Sequence, residues 1–308
     1  MIGIDWGTTS LRAYRLDAAG AVRERRESAQ GILSVPEGGF PAVLEAEIRP
    51  WLDAGEELVL LCGMVGSRQG WREVPYLECP AGPAEIAAAM EPLPFLGARR
   101  CFLVPGLSAR GPDGVPDVMR GEETKLVGLL AEIGGAASAT LCLPGTHSKW
   151  ARLDGGRVAG FATRMTGEVR AVLLAHSILG RLAEPARAPS DAAFGRGLRR
   201  SRERGGLLHH LFGVRALGLT GALAAAETDD YLSGLLIGHE VRSAVDALRP
   251  VDGELIDRDA VWTAKRAAFA LLLPPGEPLT EVDWSGPDGF SLRSALLARS
   301  TGLIAPPL

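Results

Sequence analysis

Apolar and polar residues alternate from Met1 to Trp6 and from Ser10 to Leu16. A third short run, Ala21 to Ser28, follows after Asp17-Ala18-Ala19-Gly20. A two-residue period punctuated by Gly, Asp and Thr predicts three strands joined by tight turns, the first turn being Gly7-Thr8-Thr9. An amphipathic stretch from Ala42 to Trp51, an apolar run from Leu58 to Cys62, a helical segment near Ala84 to Met90 and a strand from Cys101 to Val104 extend the order to βββαβαβ. Gly121 to Leu130 then reads as a helix with Glu122 and Glu123 in its first turn. The run Gly134-Gly135-Ala136-Ala137-Ser138 reads as a connector.

Past that connector the pattern restarts with a strand over Thr140 to Leu143, a turn at Pro144-Gly145-Thr146, a strand over Ser148 to Leu153, a hairpin at Asp154-Gly155-Gly156 and a strand over Arg157 to Ala162. The restart predicts two domains, 1–134 and 135–308. A helix follows with Thr166 as N-cap, Glu168 near the positive end of its dipole, and Val169, Val172, Leu173, His176 and Leu179 on an inner apolar face. His176 reads as a packing residue, and so do His209 and His210 within a polar helical insertion. Arg196, Arg199, Arg200, Arg202 and Arg204 read as a solvated helical face. In a helix over Asp229 to Val245, Gly234 and Gly238 leave a shallow groove for a nucleotide or, more commonly, for a neighbouring backbone. Further helices are expected from Ala260 through Phe269 and from Ser291 to Arg299.

Composition narrows the function classes. A chain of 308 residues with 46% hydrophobic content suits a globular protein with a sizeable core. A formal net charge of -4 supplies no broad basic field, so nucleic-acid and anionic-membrane partners are not expected, and a small-molecule partner fits better. No apolar run approaches the ~20 residues of a membrane span and no signal peptide is read at Met1, so the cytoplasm is the expected location. Cys62, Cys79, Cys101 and Cys142 lack ligand or disulfide spacing and read as small hydrophobes. The pattern leaves the oligomeric state open, a homo-oligomer included.

Three segments carry candidate chemistry. In Asp5-Trp6-Gly7-Thr8-Thr9-Ser10 an aspartate ends a strand, a glycine permits a tight turn, and hydroxyl residues follow. Turn N–H groups and the Thr8 and Thr9 hydroxyls suit phosphoryl oxygens, and Asp5 suits Mg²⁺. A plain hairpin with an Asp-x-Gly turn would use the same residues. The second turn, Pro144-Gly145-Thr146-His147-Ser148, repeats the plan at the start of the second half. The third segment, Arg120-Gly121-Glu122-Glu123-Thr124, opens a helix with two carboxylates. Either suits a general base for a hydroxyl acceptor, although dipole compensation by itself accounts for such a pair. Glu122 lies 23 residues before Gly145, which resembles the sugar-kinase arrangement of an acidic motif shortly before the second phosphate turn, and that resemblance favours Glu122, with Glu123 as the close alternative.

Taken in order, Asp5-Trp6-Gly7-Thr8-Thr9, Gly63-Met64-Val65-Gly66-Ser67, Gly70-Trp71, Pro75-Tyr76-Leu77, Val118-Met119-Arg120-Gly121-Glu122-Glu123-Thr124, Pro144-Gly145-Thr146-His147-Ser148-Lys149-Trp150, Met165-Thr166-Gly167-Glu168 and Leu232-Ser233-Gly234-Leu235-Leu236-Ile237-Gly238 resemble the 2-dehydro-3-deoxygalactonokinase family over roughly residues 1–250. The resemblance implies an α/β, two-domain ribonuclease-H-like or actin-like ATPase fold with a nucleotide cleft between the domains. It implies Mg²⁺-dependent transfer of the ATP γ-phosphate to the 6-hydroxyl of 2-dehydro-3-deoxy-D-galactonate in galactonate catabolism. A kinase of the gluconate epimer and a non-catalytic sugar-acid sensor are the alternatives. On this reading Asp5, Gly7, Thr8, Thr9, Gly145, Thr146 and His147 meet phosphates or metal, and Gly234, Gly238 and Arg258 face the adenosine. Ser67, Arg68, Arg164 and Thr166 contribute to the sugar-acid pocket. The late segment departs from the family pattern: Arg258 stands where a glycine of the adenosine turn is expected.

Overall fold

The computed structural model describes residues 1–17, 20–95, 100–132, 139–186, 188–248 and 296–298. The chain divides into two units, one of Met1–Ser138 with Ala151–Ala162 and one of Ala139–Trp150 with Thr163–Leu308.

The first unit is built on the predicted meander. Strands β1 (Ile2–Trp6), β2 (Leu11–Leu16) and β3 (Val22–Ser28) pair antiparallel, and β4 (Leu58–Cys62) and β7 (Arg100–Leu103) add parallel to β1. With the two-residue β6 (Glu91–Pro92) outermost, the sheet order is β3-β2-β1-β4-β7-β6. A three-strand meander followed by parallel strands on the far side of β1 is the arrangement expected of a ribonuclease-H-like, actin-like ATPase unit, and the fold is of that class.

The alternation has a direct structural cause. Ile2, Ile4, Trp6, Leu11 and Ala13 point into the core, where α1 (Phe40–Asp53) covers them with Phe40, Leu44, Ile48 and Trp51 at helical spacing. The edge strand β3 carries Val22-Arg23-Glu24-Arg25-Arg26-Glu27-Ser28, mostly charged, which discourages pairing with another chain. The remaining elements are α2 (Pro83–Ala88), α3 (Glu122–Glu132) and a small sheet of β5 (Leu77–Glu78), β8 (Leu107–Arg110) and β9 (Pro116–Met119), ordered β5-β8-β9. That small sheet was not predicted, because two- and four-residue strands carry too short a pattern to read.

Strands β10 (Ala139–Leu143), β11 (Ser148–Asp154) and β12 (Arg157–Arg164) follow the second predicted meander. The β11–β12 turn uses Gly155 at φ 54° and Gly156 at φ 75°, the positive values a two-residue hairpin turn requires. The outer part of this hairpin falls in the first unit, where Val158 bridges Ala81 and Arg157 pairs with Glu85. The sheet order is β12-β11-β10-β13, with β13 (Leu296–Ala298) antiparallel to β10. This corrects the helix expected over Ser291 to Arg299: Leu296 and Leu297 pair with Cys142 and Leu141 along β10. The helix expected from Ala260 through Phe269 lies outside the described residues.

Helices α4 (Thr166–His176), α5 (Asp191–Arg200), α6 (Gly206–Leu219) and α7 (Thr228–Leu248) make up most of the second unit. Two expectations change here, and His210 takes the packing role read for it. In α4, Val172 is 48% exposed and His176 is also exposed; Val169, Leu173 and Leu174 are the residues that meet the core. His210 is fully buried, sharing a 3.0 Å hydrogen bond through Nδ1 with His239 Nε2 and donating through Nε2 to Arg204 O at 3.1 Å. The arginine segment is only partly solvated, since Arg196 lies over the Tyr231 ring and donates to Ala222 O.

Candidate active site

The site in the first unit forms at the carboxyl ends of β1 and β4, which run side by side with Asp5 opposite Cys62. The chain then turns at Gly63, and α3 begins beside it after Gly121. Both glycines have positive φ, 92° and 105°. A β-carbon on Gly63 would stand 2.8 Å from Trp6 O and 3.2 Å from Asp5 Oδ1. One on Gly121 would stand 3.3 Å from Gly63 Cα and 4.0 Å from Asp5 Oδ1. Two missing side chains therefore let three chain segments close around one carboxylate. Arg12 reaches that carboxylate from β2 at 3.7 Å, too long for a hydrogen bond.

The turn Gly7-Thr8-Thr9 lies next to Asp5 in sequence. Gly7 donates to Ser10 O at 2.9 Å, closing the hairpin, and Thr8 and Thr9 sit exposed at its tip. Gly31 braces the turn from behind: Ile32 and Leu33 donate to Gly7 O and Thr8 O, and a β-carbon at position 31 would fall 2.3 Å from Thr8 O.

Glu122 and Glu123 differ sharply although they are neighbours. Glu122 is partly buried and accepts the Arg120 N–H at 3.1 Å through Oε2. Glu123 is fully buried, accepting the Gly121 N–H at 2.6 Å and the Thr124 hydroxyl at 3.2 Å. Burial, then the Glu122 charge, push the Glu123 carboxyl up to about 8. The Cys62 thiol nearby is raised well above its ordinary value by burial and by the Asp5 and Glu123 carboxylates, so it stays protonated and inert.

In the second unit, Gly145, Thr146 and His147 form the exposed turn between β10 and β11. The first turn of α4 is fastened to it: Glu168 N–H donates to Thr146 O at 3.1 Å, and the Glu168 carboxylate pairs with His147 Nε2. A β-carbon on Gly167 would fall 2.7 Å from Gly145 O. Thr166 is the first helical residue rather than the N-cap; Met165 precedes it without a capping side chain. The expected cap is displaced because the helix start meets a turn carbonyl instead. Behind the turn, buried Glu240 on α7 accepts Trp150 Nε1 at 2.8 Å and Ser148 Oγ at 3.2 Å, tying β11 to the helix.

Other predicted residues are more scattered. Ser67 donates to Met64 O at 2.7 Å within a short turn. The Arg68 side chain is 86% exposed and pairs at 3.5 Å with Glu73. Arg164 ends β12 and donates to Thr163 O at 3.3 Å. Gly234 and Gly238 show the commoner of their two readings, close packing, rather than an open nucleotide groove: a β-carbon at 234 would meet Phe194 O at 2.0 Å, and one at 238 would meet Ser201 Oγ at 2.3 Å. Gly197 on α5 faces Tyr231 O just as closely, so the glycines serve the α5–α7 crossing. Arg258 lies outside the described residues.

The profile of the 2-keto-3-deoxy-galactonokinase family matches residues 5–273. The chain belongs to this family. The match to 2-keto-3-deoxy-galactonokinases spans both Gly-Thr turns, the head of α3 and all of α4–α7. A Rhizobium meliloti (strain 1021) protein assigned as a 2-dehydro-3-deoxygalactonokinase is 42% identical over 270 residues, 86% of this chain and 87% of that one. The 2-dehydro-3-deoxygalactonokinase of Escherichia coli (strain K12) is 39% identical over 245 residues, 80% of each chain. The crystal structure of a Sinorhizobium meliloti protein with the same assignment superposes with a TM-score of 0.72 at 40% identity, covering 82% of this chain and 84% of that one.

Residues whose part is not legible in the sequence include Gly31, Arg120 and Glu240, and Glu168 pairs with His147 beyond its place at the helix dipole. Glu240 had no legible signal, because a carboxylate inside a helix reads as surface until its buried partners are seen.

Proposed function

We propose that this protein is an ATP-dependent kinase that phosphorylates 2-dehydro-3-deoxy-D-galactonate on its 6-hydroxyl, in the cytoplasm, as a step of galactonate catabolism. The observation that carries the proposal is the gathering of Asp5, Gly63, Gly121 and Glu122 at the ends of β1 and β4, in a chain of this kinase family. Ligands of open α/β sheets settle at such carboxyl ends.

Each group has a part. The turn Gly7-Thr8-Thr9 and the turn Gly145-Thr146-His147 offer N–H and hydroxyl donors to phosphate oxygens, and both are exposed. Asp5 would hold Mg²⁺. A single hard carboxylate in a pocket without β-carbons fits a cation that takes its remaining ligands from phosphate and water. Among the described residues no cluster of three or more His, Cys, Asp or Glu side chains competes for it. Bound Mg²⁺ neutralises charge on the phosphoryl group in transfer.

In the transfer, the 6-oxygen forms its bond to the γ-phosphorus as the bond to the ADP oxygen breaks, and the hydroxyl proton passes to Glu122. The difference in burial between the two carboxylates supports Glu122 for that part. Glu123, protonated near neutral pH and sealed from solvent, cannot take a proton from a ligand; it holds Gly121 in place. Ser67 in the first unit and Arg164 and Thr166 in the second are each retained as candidate contacts for the sugar acid, and the two units are read as the kinase's two domains.

The test is ADP release with Mg-ATP and 2-dehydro-3-deoxy-D-galactonate, its gluconate epimer, simple hexoses, or no acceptor. Turnover only with the galactonate-derived acid supports the proposal. Preference for the epimer would change the substrate, and acceptor-independent ADP release would remove the kinase reading.

A further inference from the structure

Arg120 stands between β9 and α3, two residues before Glu122. Its Nη2 donates to Val74 O at 2.7 Å, and its Cζ lies 4.4 Å from the centroid of the Tyr76 ring. Two glycines make room for the pair. A β-carbon on Gly66 would come within 3.0 Å of Arg120 Nη1, and one on Gly106 within 2.7 Å of Tyr76 Cε1.

The guanidinium is unusual in what it lacks. Nε and Nη1 are closed to water and have no hydrogen-bond partner. Among the described residues no Asp or Glu pairs with it, whereas Arg15, Arg157 and Arg170 each meet a carboxylate. The nearest carboxylate in sequence, Glu122, accepts the Arg120 main-chain N–H instead. Arginine cannot shed its proton, so burial cannot neutralise it as it would a lysine or a carboxyl. A partly buried cation with two sealed, idle donors is poorly satisfied until an anion joins it.

We propose that Arg120 is the specificity residue that recognises the carboxylate of the sugar-acid substrate, with Tyr76 as the cover that yields when the acid binds. The inference rests on the kinase reading for the identity of the acid. A carboxylate is planar and matches the guanidinium fork. Tyr76 is 43% exposed although it packs on Arg120, so the ring borders solvent while covering the guanidinium. The same short segment then positions the cation for one end of the substrate and Glu122 for the hydroxyl at the other. Arg68, largely exposed and paired with Glu73, is the weaker candidate for this task.

The test is titration calorimetry of the full-length protein with 2-dehydro-3-deoxy-D-galactonate and with its neutral carboxamide. The wild type is expected to prefer the acid by on the order of 10²-fold, and Arg120→Met to lose that preference while nucleotide affinity holds. Equal weakening of acid and amide in the variant would make Arg120 a structural residue and overturn the proposal, as would a wild type indifferent to the charge. If Arg120→Met does not fold, Arg120→Lys carries the test: a preference cut tenfold or more supports the proposal, and an undiminished one overturns it. Calorimetry reads binding whether or not transfer follows. Acid binding without ADP formation would therefore count against the kinase reading alone.

Discussion

Glu123 accepts the Gly121 N–H at 2.6 Å from a carboxyl group with no solvent exposure. The bond fixes the glycine whose positive φ starts α3, and it keeps an ionisable group where its charged form is disfavoured. With a folded-state value near 8 against an ordinary 4.5, the native state holds a proton that the unfolded chain releases. Stability from this group is complete below the ordinary value and is lost as pH rises through about 8. Glu123→Gln keeps a carbonyl acceptor for Gly121 and cannot ionise. Denaturant unfolding without nucleotide should show the variant losing less stability than wild type between pH 5 and pH 9; parallel curves would refute the assignment.

Glu122 is expected to be the more catalytic of the two. Glu122→Gln should lower turnover by about 10²- to 10⁴-fold, the range for a general base, with nucleotide affinity unchanged. Glu123→Gln should retain most turnover at neutral pH. Steady-state kinetics of both variants, with nucleotide binding measured separately, checks the pair; the reverse ranking would exchange their roles.

Gly63→Ala places a β-carbon against Trp6 O and Asp5 Oδ1 at a φ of 92°. Strain of this kind costs about 1–3 kcal/mol. The fold should survive, because β1 and β4 keep their pairing, but Asp5 should shift. The expected result is a modest fall in Tm with a disproportionate rise in the Mg²⁺ concentration required for half-maximal activity. An unchanged Mg²⁺ requirement would separate Asp5 from the metal.

Gly234→Ala tests whether α7 packs on α5 or leaves a groove. With Phe194 O 2.0 Å from the added carbon, the helices must move apart, and a loss of about 2 kcal/mol or more is expected by chemical denaturation. A variant of wild-type stability would show that the groove is open after all.

Much of the fold was legible because a two-residue period leaves little choice. Ile2, Ile4 and Trp6 in β1 alternate so cleanly that only a strand buries them on one side, and the bounds of α1, α2 and β4 fall within a residue or two of the reading. What failed was set by distant partners. Leu296 and Leu297 belong to a ladder with β10 that their own helical-looking context conceals. His176 occupies a helix position that looks internal until the core is found to meet Val169 and Leu173 instead.

The site was legible as residue types and illegible as roles. Asp5 and the two turns announce themselves by composition, yet neighbouring carboxylates in one helical turn cannot be ranked without knowing that Glu123 is sealed and Glu122 is not. The close approach of Gly63 and Gly121 to Asp5 is likewise a fact of packing. So is the crossing that claims Gly234 and Gly238 for α5.

The most direct measurement is phosphorus NMR of the product made from Mg-ATP and 2-dehydro-3-deoxy-D-galactonate. The account predicts one new phosphomonoester whose phosphorus couples to the two protons on C6, formed in step with ADP. Coupling to a different carbon, or inorganic phosphate in place of an ester, would contradict it.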